Sequence, residues 1–201
     1  MTSDSYSQLA DRVERVVLIG MLAFLAYRLI PHHPIKPANL VYLASETLLI
    51  IMVTFRRTAN EISRRSADWV IGFGGTLLPL MVVRSDDAVL AQGTILLLLG
   101  FVIAVSAQLS LWRSFGVVAA NRGVRTGGVY GLVRHPMYLG YFLTHLGFLL
   151  TNPALWNVAV YAVWTACQLY RVRAEERVLS GDTAYVAFTR RVRYRLVPFV
   201  Y

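Results

Sequence analysis

AVLAQGTILLLLGFVIAVSAQLSLW, from Ala88 to Trp112, is the longest apolar run in the chain. A helix needs about twenty apolar residues to cross the hydrocarbon core of a bilayer, so this run is long enough to cross with tilt. The composition agrees, with 56% of the 201 residues hydrophobic and 15% charged, too oily for a soluble domain of this size. The chain reads as an all-α integral membrane protein.

Upstream of this run, Arg84-Ser-Asp-Asp is a small turn, and the preceding run, Trp69 to Val83, is short and holds Gly72, Gly74, Gly75 and Pro79. Their spacing fails the dinucleotide fingerprint and no soluble strand precedes them, so close helix packing is their expected use. A basic connection, Arg56-Arg57 to Asp68 with Arg64 and Arg65, separates this run from Ala38 to Phe55. Glu46 lies in the middle of that second run. A carboxyl at such depth is either a hydrogen-bonded helix contact or part of a functional cavity. His32, His33 and Lys36 form a polar turn, and without a third ligand nearby the histidines read as loop rather than as a zinc site. The first run, Val16 to Ile30, is closed by Pro31, and Arg28 can snorkel to the interface. The polar stretch before it, Met1 to Glu14, lacks the features of a removable signal peptide.

Downstream, Arg113 to Val133 is a basic, glycine-containing loop. Two apolar runs follow, Met137 to Leu150 and Ala154 to Tyr170, parted by the turn signal Thr151-Asn152-Pro153. The total is six crossings. With a cytosolic N-terminus, Arg12, Arg15, the Arg56–Arg65 group, the Arg113–Arg134 group and every arginine after Tyr170 lie in the cytosol, leaving only Arg28, Lys36 and Arg84 outside. That asymmetry predicts a multi-pass protein with both termini cytosolic. Arg171 to Tyr201 is too charged to span. It reads as an interfacial helix, a break at Gly181-Asp182, a second helix around Tyr185 to Arg193 and an apolar tail with Pro198. The expected division is a four-helix membrane region, 1–112, and a C-terminal catalytic region, 113–201, whose last segment covers the site from the cytosol.

The candidate site follows from two polar clusters. One is RTGGVYGLVRHPMYLGY, Arg125 to Tyr141; the other is Arg173-Ala-Glu-Glu-Arg. Pro136 suits the first position of a helix, where its missing N–H is not needed, and His135 is the expected cap. The hairpin made by the last two runs returns Glu175 and Glu176 to the level of Arg134. An arginine, a histidine, aromatic rings, a helix N-terminus and two carboxylates then meet at the edge of an apolar layer. On spacing alone, Arg171 and Arg173 sit four and three residues before Glu175 and Glu176, which also suits a solvated helix face.

The ordered set Thr126-Gly127-Gly128-Val129-Tyr130, Arg134-His135-Pro136-x-Tyr138-x-Gly140, Asn152-Pro153, Glu175-Glu176, Tyr185 and Pro198 resembles the C-terminal half of the isoprenylcysteine carboxyl methyltransferase family and its relatives among the phospholipid methyltransferases. The resemblance spans roughly Gly116 to Tyr201. It implies S-adenosylmethionine bound in a cytosolic pocket, with a lipophilic acceptor entering from the bilayer. Carried over by residue, it implies that Tyr130, Arg134, His135, Pro136, Tyr138, Gly140, Glu175, Glu176 and Tyr185 surround the cofactor. Arg134 and Glu176 are then the expected catalytic residues, in an isoprenylcysteine-type carboxylate O-methylation. Phe188 stands where the eukaryotic enzymes would have a second tyrosine, and the N-terminal half shows no match.

The chemistry suits these residue types. Backbone N–H groups at the start of the Pro136 helix, with Arg134 or His135, suit the cofactor's carboxylate. Tyrosines suit its sulfonium or adenine, and a glutamate its ammonium or ribose. Methyl transfer needs alignment and exclusion of water, so no metal is expected. The other classes considered are a phospholipid or small-molecule N- or S-methyltransferase, a sterol-reductase-like enzyme using a nicotinamide cofactor, and a non-enzymatic membrane protein. Expected partners are the lipophilic acceptor and membrane lipids. Nucleic acid is not expected despite the net charge of +9, because the basic residues lie between apolar runs rather than along one face. Cys167, alone in an apolar run, supports neither a disulfide framework nor thiol chemistry.

Overall fold

The computed structural model describes residues 3–29, 47–83 and 91–200. The expectations placed on His32, His33, Glu46 and the Arg84–Asp87 turn lie outside the described residues. Where described, all six apolar runs are largely helical, and the described residues are mostly helix with almost no strand. Helix α1 spans Ser3–Leu29, α2 residues 47–54, α3 Ser66–Leu77, α4 Ala91–Leu111, α5 Pro136–Thr151, α6 Leu155–Leu179 and α7 Thr183–Arg191. Pro79 lies in a short 3₁₀ turn, Leu78–Met81, that ends α3. Among the described residues, one segment, Gln92–Ser114, is both long and apolar enough to cross a membrane, with a mean hydropathy of 2.2.

Two helices are longer than the sequence reading made them. The polar stretch before Val16 is part of α1, and α6 runs unbroken from the apolar segment through Arg171 to Leu179. Nothing between Tyr170 and the Ser180-Gly181 stop breaks a helix, since arginine, alanine and glutamate are good helix formers. Glu175 and Glu176 therefore sit on the last turns of α6 itself.

The tightest packing is between α4 and α5. A Cβ on Gly100 would lie 2.3 Å from the Thr144 amide nitrogen, one on Gly140 2.5 Å from that of Ala104, and one on Gly147 2.4 Å from that of Leu97. Backbone meets backbone along both helices, as small residues permit in membrane bundles. This seam crosses the boundary drawn after Trp112. The expected helix packing of the α3 glycines holds for Gly75, which abuts Cys167 on α6, whereas Gly72 abuts the Val117 carbonyl of the loop after α4 and nothing lies near Gly74. Outward-facing Ile95, Leu98 and Val102 on α4, Val70 on α3, and Leu155 and Val163 on α6 leave large apolar side chains exposed. Exposed apolar surface of this kind marks faces that interact with a partner or a membrane.

The bundle has two unlike ends. At one, Asn157 is fully buried and pins the chain, accepting from the Val83 amide at 2.9 Å and donating to the Val83 and Asn152 carbonyls. The start of α1, the end of α4, the start of α5 and the end of α6 meet at the other. There a two-residue ribbon, β1 (Glu61–Ile62) against β2 (Ala120–Asn121), joins the loop before α3 to the loop after α4.

Candidate active site

One long connection and three helices build most of the cleft at this polar end. The loop after α4 supplies Gly116, Val118, Arg122, Arg125 and Tyr130; α5 supplies Met137 and Tyr138; α6 and α7 supply Glu175, Tyr185 and Phe188. The enclosed space of the cleft is about 80 Å³, well below the ~300–1,000 Å³ of typical small-molecule sites, so the site as it stands is narrow and open to solvent. Its walls are mostly aromatic and aliphatic, with a few charges at fixed points.

The loop wall is held by charges buried on α1. Asp11 and Glu14, three residues apart on one helix face, meet Arg56 and Arg122 with all four side chains at most 2% exposed. Glu14 Oε1 also accepts the Val117 and Val118 amides at 2.8 and 2.9 Å. Arg171 of α6 reaches the same loop, donating to the Val117 carbonyl at 3.2 Å with its guanidinium over the Tyr138 ring. Arginine there is a buried strut and not a solvated helix face. Of these residues only Arg171 stood out in the sequence, and there as part of a solvated helix face; Asp11, Glu14 and Arg122 did not. The readable signal was two acids one turn apart at the polar end of an apolar helix.

Pro136 opens α5 with His135 at the cap position, as expected, although the His135 side chain does not cap the helix. The C-terminal tail lies across this junction. The amides of Arg134 and His135 donate to the carbonyls of Tyr194 and Arg195 at 2.9 and 2.8 Å, so these two donors are already taken. Glu176 is the hub. Its Oε1 meets Arg134 Nη1 at 2.7 Å, His135 Nε2 at 3.3 Å and the Tyr185 hydroxyl at 3.3 Å, and its Oε2 accepts from Arg195 Nε at 2.7 Å. Arg134 spends its other terminal nitrogen on the Arg193 carbonyl at 2.9 Å. Glu175 faces the cleft instead, accepting from the Tyr138 hydroxyl, with His135 Nδ1 3.7 Å away.

Of the residues marked from sequence, Tyr130, Arg134, His135, Tyr138, Glu175 and Tyr185 line the cleft. Glu176 lies directly behind them. Pro136 is buried at the helix start, and Gly140 is packed against Ala104 on the α4 seam. Phe188 lies beside Tyr185 with ring centroids 5.9 Å apart, so an apolar ring fills the place of the missing hydroxyl. His145 packs between Tyr161 and Trp164, at 4.9 and 4.4 Å between centroids, away from the cleft.

Burial and then the Glu175 charge push the Tyr130 phenol well above its ordinary value, and burial and then Glu176 push Tyr185 up as well. Both stay protonated and serve as rings and donors, not as bases. Burial alone would raise the Glu176 carboxyl, but hydrogen bonds from His135 and Arg195 and the charges of His135 and Arg134 outweigh it and hold it at about 2. A carboxyl whose folded value lies below its unfolded one stabilises the fold above the unfolded value and loses that contribution as pH falls toward the folded one. From about pH 4.5 down to 2 the tail should therefore loosen, with a loss on the order of 3 kcal/mol. Proteolysis of the 192–200 tail measured against pH should show this, and Glu176→Gln should remove most of the dependence. An unchanged pH profile in the variant would assign the effect to other carboxylates.

The structure defines a helical bundle with large apolar side chains exposed on several helices and a cleft of rings and paired charges at one end. The family comparison is more specific: residues 88–182, a little under half the chain and running from before α4 to the end of α6, match the model of the phospholipid methyltransferase family. The resemblance read from the motifs is thus borne out. No curated protein matches the chain.

Proposed function

We propose that the protein transfers a methyl group from S-adenosylmethionine to a lipophilic acceptor at the cytosolic face of a membrane that it crosses several times. One observation carries this reading: the cleft places Tyr130, Tyr138, Tyr185 and Phe188 around a single outward-facing carboxylate, Glu175, at the end of helices with an apolar exterior. Rings suit adenine and a sulfonium, and a carboxylate suits an ammonium or a ribose diol. The cofactor would supply an electrophilic methyl group, and the residues present fit it. Tyr138 holds Glu175 by its hydroxyl, which fixes the carboxylate against the cleft floor. The tail is clamped beside the cleft, where Glu176 holds both Arg134 and Arg195. The membrane placement is supported by the arginine distribution and the apolar exterior, and both termini are assigned to the cytosol.

Two acceptors compete. Carboxylate O-methylation of an isoprenylcysteine type needs a free arginine to orient the acceptor, and Arg134 has both terminal nitrogens engaged by Glu176 and the Arg193 carbonyl. N-methylation of an amine headgroup needs a carboxylate and rings, which Glu175 and the tyrosines supply. We therefore favour an amine phospholipid, in keeping with the family matched. The carboxylate acceptor keeps one supporting observation, a further arginine in the cleft, Arg125. Purified protein in nanodiscs with labelled donor should methylate phosphatidylethanolamine and leave farnesylated cysteine unlabelled. The reverse result would restore the carboxylate reading, and donor binding without transfer to either lipid would remove both.

A further inference from the structure

We propose that Arg125 is the oxyanion-receiving residue of the cleft, for the carboxylate of the methyl donor or the phosphate of the acceptor; the inference rests on the methyl-transfer reading. Three arginines line the cleft, and two are neutralised within the protein. Arg122 is held by Asp11 and Glu14, and Arg134 by Glu176. The third, Arg125, has no such partner. Its Nε is sealed from solvent without a hydrogen bond, and among the described residues its guanidinium makes no ion pair or hydrogen bond. Arg125 is half-buried, and its charge has no carboxylate partner among the described residues, which leaves it open to an anionic ligand.

The local backbone is built to deliver this side chain. Gly123 takes φ of +93° and Gly128 φ of +60°, a region other residues rarely adopt, and the loop between them turns Val124 and Arg125 into the cleft wall. The cleft then offers one negative group with capacity to spare, Glu175, and one positive, Arg125. A zwitterionic amino-acid end matches that pair, ammonium to Glu175 and carboxylate to Arg125. The planar fork of arginine suits either a carboxylate or a phosphate. Arg125 opens the stretch that runs to the Arg-His-Pro motif, directly ahead of Thr126.

The test compares ligands that differ only in the anion. Calorimetry on the full chain in nanodiscs would measure S-adenosylhomocysteine and its decarboxylated analogue against wild type, Arg125→Gln and Arg125→Lys. Wild type should bind the carboxylate-bearing ligand about 10- to 100-fold more tightly than the analogue; Arg125→Gln should lose that preference, and Arg125→Lys should recover part of it. The second arm measures dihexanoyl phosphatidylethanolamine against the same proteins. Normal S-adenosylhomocysteine binding with about tenfold weaker lipid binding in Arg125→Gln would identify the oxyanion as the acceptor's phosphate. Unchanged affinity in both arms would overturn the proposal. If wild type bound the lipid through Arg125 but no S-adenosylhomocysteine, the methyl-transfer reading alone would fall.

Discussion

Replacing Glu14 by glutamine should destabilise the protein by about 3–5 kcal/mol, although residue 14 lies outside the matched methyltransferase segment. The carboxylate has no solvent exposure and holds Arg122 at 2.6 Å, Arg56 at 3.1 Å and two amides of the cleft wall. Glutamine keeps one acceptor but turns an amide toward two guanidinium groups, leaving buried positive charge uncompensated. The loss should appear first at the cleft: hydrogen exchange across Phe115–Arg122 should quicken before the α4–α5 seam opens. The double variant Glu14→Leu with Arg122→Met keeps charge balance, because Asp11 and Arg56 still pair at 3.0 Å. It should be more stable than either single change. Additive losses in that cycle would mean the carboxylate and guanidinium do not act as a unit.

Gly100→Ala should cost about 3 kcal/mol or more, lowering the melting temperature by roughly 6–12 °C, although alanine favours a helix by about 1 kcal/mol. The new methyl would lie 2.3 Å from the Thr144 nitrogen and 2.6 Å from the Gly140 carbonyl oxygen, both backbone atoms that cannot rotate aside. α4 and α5 would have to separate along their length, and α5 carries Tyr138 into the cleft. Gly74→Ala is the matched control, since no atom lies within 4 Å of the added carbon. It should be neutral or slightly stabilising. Equal melting temperatures for the two variants would refute the interlocked seam.

The amino-acid sequence by itself determined the helices and the motif end of the site. Long apolar runs bounded by Pro31, Pro153 and charged turns leave few backbone alternatives, and Pro136 fixes the start of α5 through its own ring. The hairpin arithmetic from Arg134 to Glu176 also held, because helix rise is constant. Tertiary structure alone decided which charges meet. Glu14 and Arg122 are 108 residues apart, and no local period reports that they share one buried carboxylate–guanidinium contact. Nor does a motif separate Glu175, which faces the cleft, from Glu176, which faces the tail: adjacent helical residues point about 100° apart, and only the packed neighbours say which direction is the site. Gly140 and Arg125 follow the same rule. A glycine next to a motif is read as part of it until the partner helix is found against its Cα, and an arginine in a loop is ordinary until every neighbouring arginine has been given its carboxylate.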